Sequence, residues 1–160
     1  MIRIRHVEPR DASQWLVLRT ALWPEEGSTP HAADIERFFA DTRRGPGMDP
    51  EAVLVAEDQA SSALIGLAEV SRRTYAEGCE TSPVGFLEGW YVVPERRRQG
   101  IGRALVDAAE VWARELGCRE LASDALVDNR VSAEAHRALG FEEVEVIRCF
   151  RKELRPETEA

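Results

Sequence analysis

The stretch from Val84 to Arg103 reads Val-Gly-Phe-Leu-Glu-Gly-Trp-Tyr-Val-Val-Pro-Glu-Arg-Arg-Arg-Gln-Gly-Ile-Gly-Arg. Its first half, Val84 to Val93, is rich in β-branched and aromatic residues and predicts a strand. Gly89 inside it marks a bulge or a close backbone approach. Pro94 stops the strand. From Gly100 to Leu116 the residues Ile101, Leu105, Ala108, Ala109 and Trp112 fall at helical spacing and predict the best helix in the chain, closed by Gly117. A helix N-terminus carries unpaired N–H groups and partial positive charge. Glycines let that backbone approach a ligand and arginines add charge, so the turn Arg97-Arg98-Gln99-Gly100-Ile101-Gly102 reads as a pyrophosphate cradle. The alternative is a basic turn without a ligand. A dinucleotide-binding fingerprint needs a third glycine or alanine where Leu105 stands, and no Lys-Ser/Thr follows the glycines as a Walker A loop requires.

Outward from this unit, Ile2 and Ile4 alternate with arginines in a first strand. Asp11 offers an N-cap for a helix through Trp15, Leu18 and Leu22, ended by Pro24. Gly27 to Pro30 predicts a loop, and His31 to Asp41 a second helix. Strands follow at 52–57 and 64–73, joined as a hairpin through 58–62. The residues from Tyr75 to Pro83 form a loop. After the long helix come a short strand at Glu120 to Ser123 and a helix capped by Asp128 or Asn129, running to Leu139 and closed by Gly140. Phe141 to Lys152 predicts one or two final strands. The order β-α-α-β-β-β-α-β-α-β describes an α+β fold around one sheet. The expected organisation is one domain over 1–154 and a polar tail over 155–160.

The composition, 44% hydrophobic and 31% charged, is that of an ordinary globular domain. No run approaches the ~18 apolar residues of a membrane span. The start of the chain lacks a signal-peptide core, so the expected setting is cytoplasmic, with no membrane partner. Cys79, Cys118 and Cys149 are odd in number, without CxxC spacing; reduced structural thiols and no metal site are expected. The net charge of −8 argues against nucleic acid, whose phosphates need clustered Lys and Arg, and favours a cationic partner if acids line the site.

The turn Arg97 to Gly102 resembles the Arg/Gln-x-x-Gly-x-Gly/Ala signature of the GNAT superfamily of acyl-CoA-dependent N-acetyltransferases. A second block, Asn129 through Ala135-His136-Arg137-Ala138-Leu139-Gly140-Phe141, resembles another motif of that family. The resemblance implies a mixed, mostly antiparallel central sheet flanked by helices, with a splay between Val84–Val93 and Glu120–Ser123. It implies acetyl-CoA as cofactor. The pantetheine would pair with the backbone near Trp90, Tyr91 and Val92, the pyrophosphate would sit on the amides from Arg98 to Arg103, and Asn129 and His136 would touch the same ligand. An amide near Tyr91 or Val92 would hold the oxyanion. His136 stands where most members carry the tyrosine that protonates the thiolate, so it is a candidate general acid; the other reading is a half-buried helix histidine or a plain cofactor contact. The family often forms homodimers.

The segments Leu18–Pro24, His31–Asp34, Tyr75–Gly89, Gly117–Asp124 and His136–Glu143 resemble more specifically the aminoglycoside 6'-N-acetyltransferases. That implies acetyl transfer to the primary amine of an aminocyclitol antibiotic. An ammonium must lose a proton before attacking a thioester, and a carboxylate both binds the cation and accepts the proton. Glu88 and Asp124 are the candidates. The alternatives are an outward-facing strand residue for Glu88 and a loop or helix cap for Asp124. Trp23, Tyr75 and Glu80 are candidate acceptor contacts, with Glu26 and Asp34 as added negative charge; Trp15 and Trp112 are assigned to the core, and His6 and His31 receive no role. Another small polyamine, a protein amine, or a non-catalytic acyl-CoA-binding module remain alternatives to the aminoglycoside reading.

Overall fold

The computed structural model describes residues 1–41, 43, 45–47 and 49–154; the tail expected over 155–160 lies outside them. Its centre is a five-stranded sheet in the order β1-β2-β3-β4-β5: β1 (Ile2–His6), β2 (Ala52–Asp58), β3 (Ala63–Arg73), β4 (Val84–Val92) and β5 (Leu121–Ser123). The first four pair antiparallel and β4 pairs parallel with β5. The helices are α1 (Ala12–Leu22), α2 (Ser28–Ala40), α3 (Ile101–Glu115) and α4 (Arg130–Ala138). None of the described helices is long and apolar enough to cross a membrane.

Strand alternation divides the core in two. On one face Leu54, Ala68, Val70 and Leu87 pack against Leu105, Val106 and Ala109 of α3; on the other, Val53, Val55 and Leu67 meet Trp15 and Leu18 of α1 and Ile35 and Phe38 of α2. Each of the larger side chains fully buried this way contributes about 1.5–3 kcal/mol.

Three local expectations are corrected. α2 begins at Ser28, with Pro30 inside its first turn. Proline is tolerated there because first-turn N–H groups have no intrahelical acceptor to lose. Asp11 stands at the N-cap of α1 but makes no cap bond; its carboxylate takes Arg5 Nη1 at 2.6 Å and Nη2 at 3.0 Å, holding its pKa below the ordinary range. The strands expected between Phe141 and Lys152 do not form. A strand needs a neighbouring edge for its amides, and this segment pairs with neither open edge of the sheet, at β1 or at β5. It runs past the 74–83 loop, where Val144 lies against Gly78.

On the α1/α2 face a charge is buried. Glu69 of β3 is fully enclosed, accepts Trp15 Nε1 at 2.8 Å and lies 3.1 Å from Arg19 Nε, which is not aligned to donate. Arg19 Nη1 donates to Asp34 of α2 at 2.9 Å. Burial pushes the Glu69 carboxyl up to about 7, against the opposing pull of Arg19 and the Trp15 N–H. The unfolded chain releases that proton near 4.5. Raising the pH through this window therefore favours the unfolded state, which holds fewer protons than the folded one. The urea unfolding free energy of the wild type is expected to carry a decline of about 1–3 kcal/mol between roughly pH 5 and 7.5 from this group. Glu69→Gln should lack that component; an identical pH slope in the variant would contradict the burial account.

Candidate active site

The site is organised by an irregularity in β4. Pairing with β5 covers Gly85↔Leu121, Phe86↔Ala122 and Leu87↔Ser123 and then stops. On the other edge Leu87 opposes Val70 and Gly89 opposes Glu69, so Glu88 is an extra residue in β4. Such a bulge turns neighbouring residues toward one face and bends the strand. The strand that flanked Gly85 to Leu87 ends, and a splay opens beside Gly89 to Val92. Val93 N bonds Ile65 O on the β3 side, whereas Val92 O takes Arg97 Nε at 2.8 Å on the opposite side. Alternation then directs the Val92 amide, rather than that of Tyr91, into the splay.

A side chain at position 89 has no room. A Cβ there would lie 2.4 Å from Trp23 Cζ2 and 2.8 Å from Leu22 Cδ2. Trp23, at the end of α1, is thus seated directly on the bulge. Its carbonyl is 3.0 Å from Nε2 of the fully buried His31, and the Arg19 guanidinium lies 5.4 Å from its ring. Sequence reasoning gave His31 and Arg19 no part in the site. His31 falls two turns' reach from Trp23 in sequence, and nothing in residue spacing signals that its ring supports that carbonyl.

Glu88 is not an outward-facing residue: its side chain is 11% exposed. Ser71 Oγ donates to its Oε1, and Arg73 clamps the carboxylate through Nη2 at 2.6 Å and Nε at 3.2 Å. The Arg73 guanidinium also lies 3.4 Å over the Phe86 ring, on the face Phe86 shares with Glu88. These two partners could not be read from the sequence, because they are set by the register of β3 on β4.

Asp124 follows β5, is exposed, and makes no ion pair or hydrogen bond among the described residues. Its neighbour Ser123, which was not anticipated, bridges the splay. Ser123 Oγ is 3.1 Å from Leu87 O and 2.8 Å from His136 Nε2. His136 Nδ1 is 2.7 Å from Ser132 O, which can only accept, so Nδ1 carries a proton. The imidazole packs between Trp90 and Phe141, at 5.0 and 5.3 Å between ring centres. His136 therefore faces the splay rather than solvent alone.

Tyr75 and Glu80 stay on the exposed 74–83 loop and form no hydrogen bond to Glu88 or Trp23. The loop is anchored by Glu120, whose carboxylate accepts Glu80 N at 2.9 Å and Thr81 N at 2.7 Å, and by Ala76, buried beside Phe86. Asp34 is engaged by Arg19 and Arg37, so it adds no free charge. Glu26 lies 3.6 Å from His31 Nδ1.

At the other end of the splay, the turn after β4 forms a cradle. Gly100 is the N-cap of α3 with φ +80°, Arg98 has φ +60°, and a Cβ on Gly100 would meet nothing within 4 Å. The first helical bond runs from Ala104 N to Gly100 O, and among the described residues the amides of 98–103 find no acceptor. Unpartnered amides on an open helix N-terminus fit a pyrophosphate. Arg97, Gln99 and Arg103 are folded onto the protein, at Val92 O, Glu95 O and Ala138 O, so the cradle relies on backbone donors with Arg98 as the untethered guanidinium. Asn129 Oδ1 caps α4 by accepting Ser132 N at 3.1 Å, which leaves its amide nitrogen for a ligand. A concavity of about 500 Å³ between Phe39, Glu51 and Trp112 contains none of these residues.

The chain matches the model of the acetyltransferase (GNAT) family over residues 14–141. It is 50% identical over 151 residues to an aminoglycoside N(6')-acetyltransferase type 1 of Klebsiella aerogenes, covering 94% of this chain and 96% of the relative. A protein of the same description from Stenotrophomonas maltophilia is 42% identical over 154 residues, covering 96% and 94%. Among solved structures, AAC(6')-Iy in complex with the bisubstrate analogue CoA-S-monomethyl-acetylneamine superposes with a TM-score of 0.84 at 35% identity, covering 96% of this chain and 99% of that one. The aminoglycoside 6'-N-acetyltransferase AAC(6')-Ih from Acinetobacter baumannii gives 0.85 at 36% identity, covering 97% and 100%.

The contact between Gly89 and Trp23 can be tested directly. Gly89→Ala should lower unfolding stability by about 1–3 kcal/mol in urea titration, the usual range for overpacking. Unchanged stability would show that Trp23 is not seated on the bulge.

Proposed function

The chain belongs to the acetyltransferase (GNAT) family, and from that premise we propose that it transfers the acetyl group of acetyl-CoA to the 6'-amine of an aminoglycoside antibiotic. The observation that carries this reading is a half-enclosed carboxylate, Glu88, on a bulge beside Trp23 and next to the splay, in a chain 50% identical to an aminoglycoside 6'-acetyltransferase.

Acetyl-CoA supplies an activated thioester. The amides of 98–103, with Arg98, are assigned to its pyrophosphate. Trp90, Val92 and Asn129 are assigned to the pantetheine, and the Val92 amide to the thioester oxygen, where a preorganised donor is typically worth ~3–4 kcal/mol. Glu88 binds the acceptor ammonium and takes its proton, directly or through water. Trp23 walls the acceptor side, with Tyr75 and Glu80 at its outer rim. Asp124, exposed on the facing strand end, is assigned to a second ammonium rather than to the reacting one. His136 is assigned to the departing thiolate, with the Ser123 hydroxyl in its proton path. The three cysteines are free, which suits a reducing, cytoplasmic setting.

We further infer that two copies pair through residues 141–154. The support is a segment outside the sheet that exposes Val144, Val146, Phe150 and Leu154, together with a β5 edge that has no partner on its outer side among the described residues. Sedimentation equilibrium should show a dimer; a monomer at micromolar concentrations would contradict the pairing.

The reaction is tested by CoA-thiol release with kanamycin-type aminoglycosides that carry or lack the 6'-amine, with spermidine, and with a lysine peptide. Release is expected only with the 6'-amines. Release with the peptide alone would point to a protein acceptor, and release with none to a binding module. Glu88→Gln and His136→Ala should each lower kcat by about 10²-fold or more, the range of general acid–base effects. Full turnover of either variant across pH would remove that residue from the chemistry.

A further inference from the structure

Glu88 is paired with a cation of its own chain. Arg73, the last residue of β3, reaches back along the sheet and places Nη2 2.6 Å from Oε2 and Nε 3.2 Å from Oε1. Its guanidinium lies over Phe86, with Cζ 3.4 Å from the ring centre. A carboxylate and an aromatic face side by side are the two features that a protonated amino sugar would use, the first for its ammonium and the second for the C–H face of its ring. Arg73 occupies both.

The two ends of this ion pair are held very differently. Glu88 is 11% exposed and is also fixed by the Ser71 hydroxyl, which would remain if the guanidinium left. The Arg73 side chain is 40% exposed, and among the described residues it makes no other hydrogen bond. A half-buried carboxylate without a counter-charge is unfavourable, whereas a long arginine side chain at a strand end is easily solvated. The pair can therefore open from one side only, by Arg73 turning out into water.

We propose that Arg73 is a resident counter-ion that occupies the acceptor subsite of the free enzyme and is displaced by the acceptor's ammonium. This rests on the assignment of Glu88 to the acceptor. Arg73 keeps the carboxylate paired between turnovers. It also sets a threshold: an amine binds only if it offers Glu88 and Phe86 more than the guanidinium does. That favours polycationic acceptors, which gain from further acidic contacts, over simple monoamines.

The test is steady-state kinetics of Arg73→Ala and Arg73→Lys with a 6'-amino aminoglycoside at saturating acetyl-CoA. Removing a competitor of this kind should lower the acceptor KM about three- to tenfold, with kcat and the acetyl-CoA KM within about twofold of wild type, because a partly exposed charge-assisted pair is of that strength. The lysine variant should fall between. Low millimolar guanidinium should inhibit Arg73→Ala competitively against the acceptor and affect the wild type less, a response that a merely structural residue would not produce. An unchanged or higher acceptor KM, or a loss of kcat at constant KM, would overturn the proposal and make Arg73 a positioning residue for Glu88. Wild-type protein that acetylates no aminoglycoside would instead overturn the acceptor assignment, and this inference with it.

Discussion

The extra residue in β4 is the constraint on which the rest of the site depends. With Glu88 unopposed between Leu87 and Gly89, the strand bends where its pairing with β5 ends. One irregularity thereby does three things. It opens the splay that exposes the Val92 amide, it turns a carboxylate onto the face of Phe86 and Trp23, and it requires glycine at 89 so that the indole can close on the backbone. Glu88 within the bent strand and the open helix start at Gly100 beyond its end lie on either side of the splay, which is the arrangement the proposed transfer rests on.

Beneath that face the protein keeps a buried charge. Arg19 lies among Glu69, Asp34 and the Trp23 ring, so α1, α2 and β3 meet at one guanidinium. A network of this kind, with Glu69 Oε2 and Arg19 Nε lacking hydrogen bonds, stabilises less than an apolar core of the same volume. Its position suggests what it provides instead, which is orientation: it supports Trp23 from below while His31 holds the Trp23 carbonyl. The Trp23 side of the splay is thus built on polar contacts, and β4 is built on apolar ones against α3.

The sheet, the long helix and the turn that opens it were legible in the sequence because each rests on local rules: alternation, helical spacing, a proline stop and glycines at a helix start. Gly89 was legible as a bulge for the same reason. The partners of Glu88 were not, since Ser71 and Arg73 reach it only through the β3–β4 register. Nor was Ser123, a small residue whose importance comes from standing opposite Leu87 at the last rung before the splay. His31 read as an unpartnered polar residue until α2 packed it under Trp23. The strands expected over Phe141 to Lys152 were misread because local composition describes a segment able to pair, while pairing itself depends on which sheet edge the chain brings beside it. Pro30 misled in the opposite direction, since proline marks a helix's first turn as readily as a loop.

In the proposed reaction Glu88 receives the 6'-ammonium of an aminoglycoside, takes its proton and presents the amine to acetyl-CoA. The most direct measurement is the position of the new amide in the product made with isotope-labelled acetyl-CoA, read by NMR. The account predicts a single labelled acetamide on the 6'-nitrogen. A label on a different amine of the same antibiotic, or none on any aminoglycoside while other amines are acetylated, would contradict it.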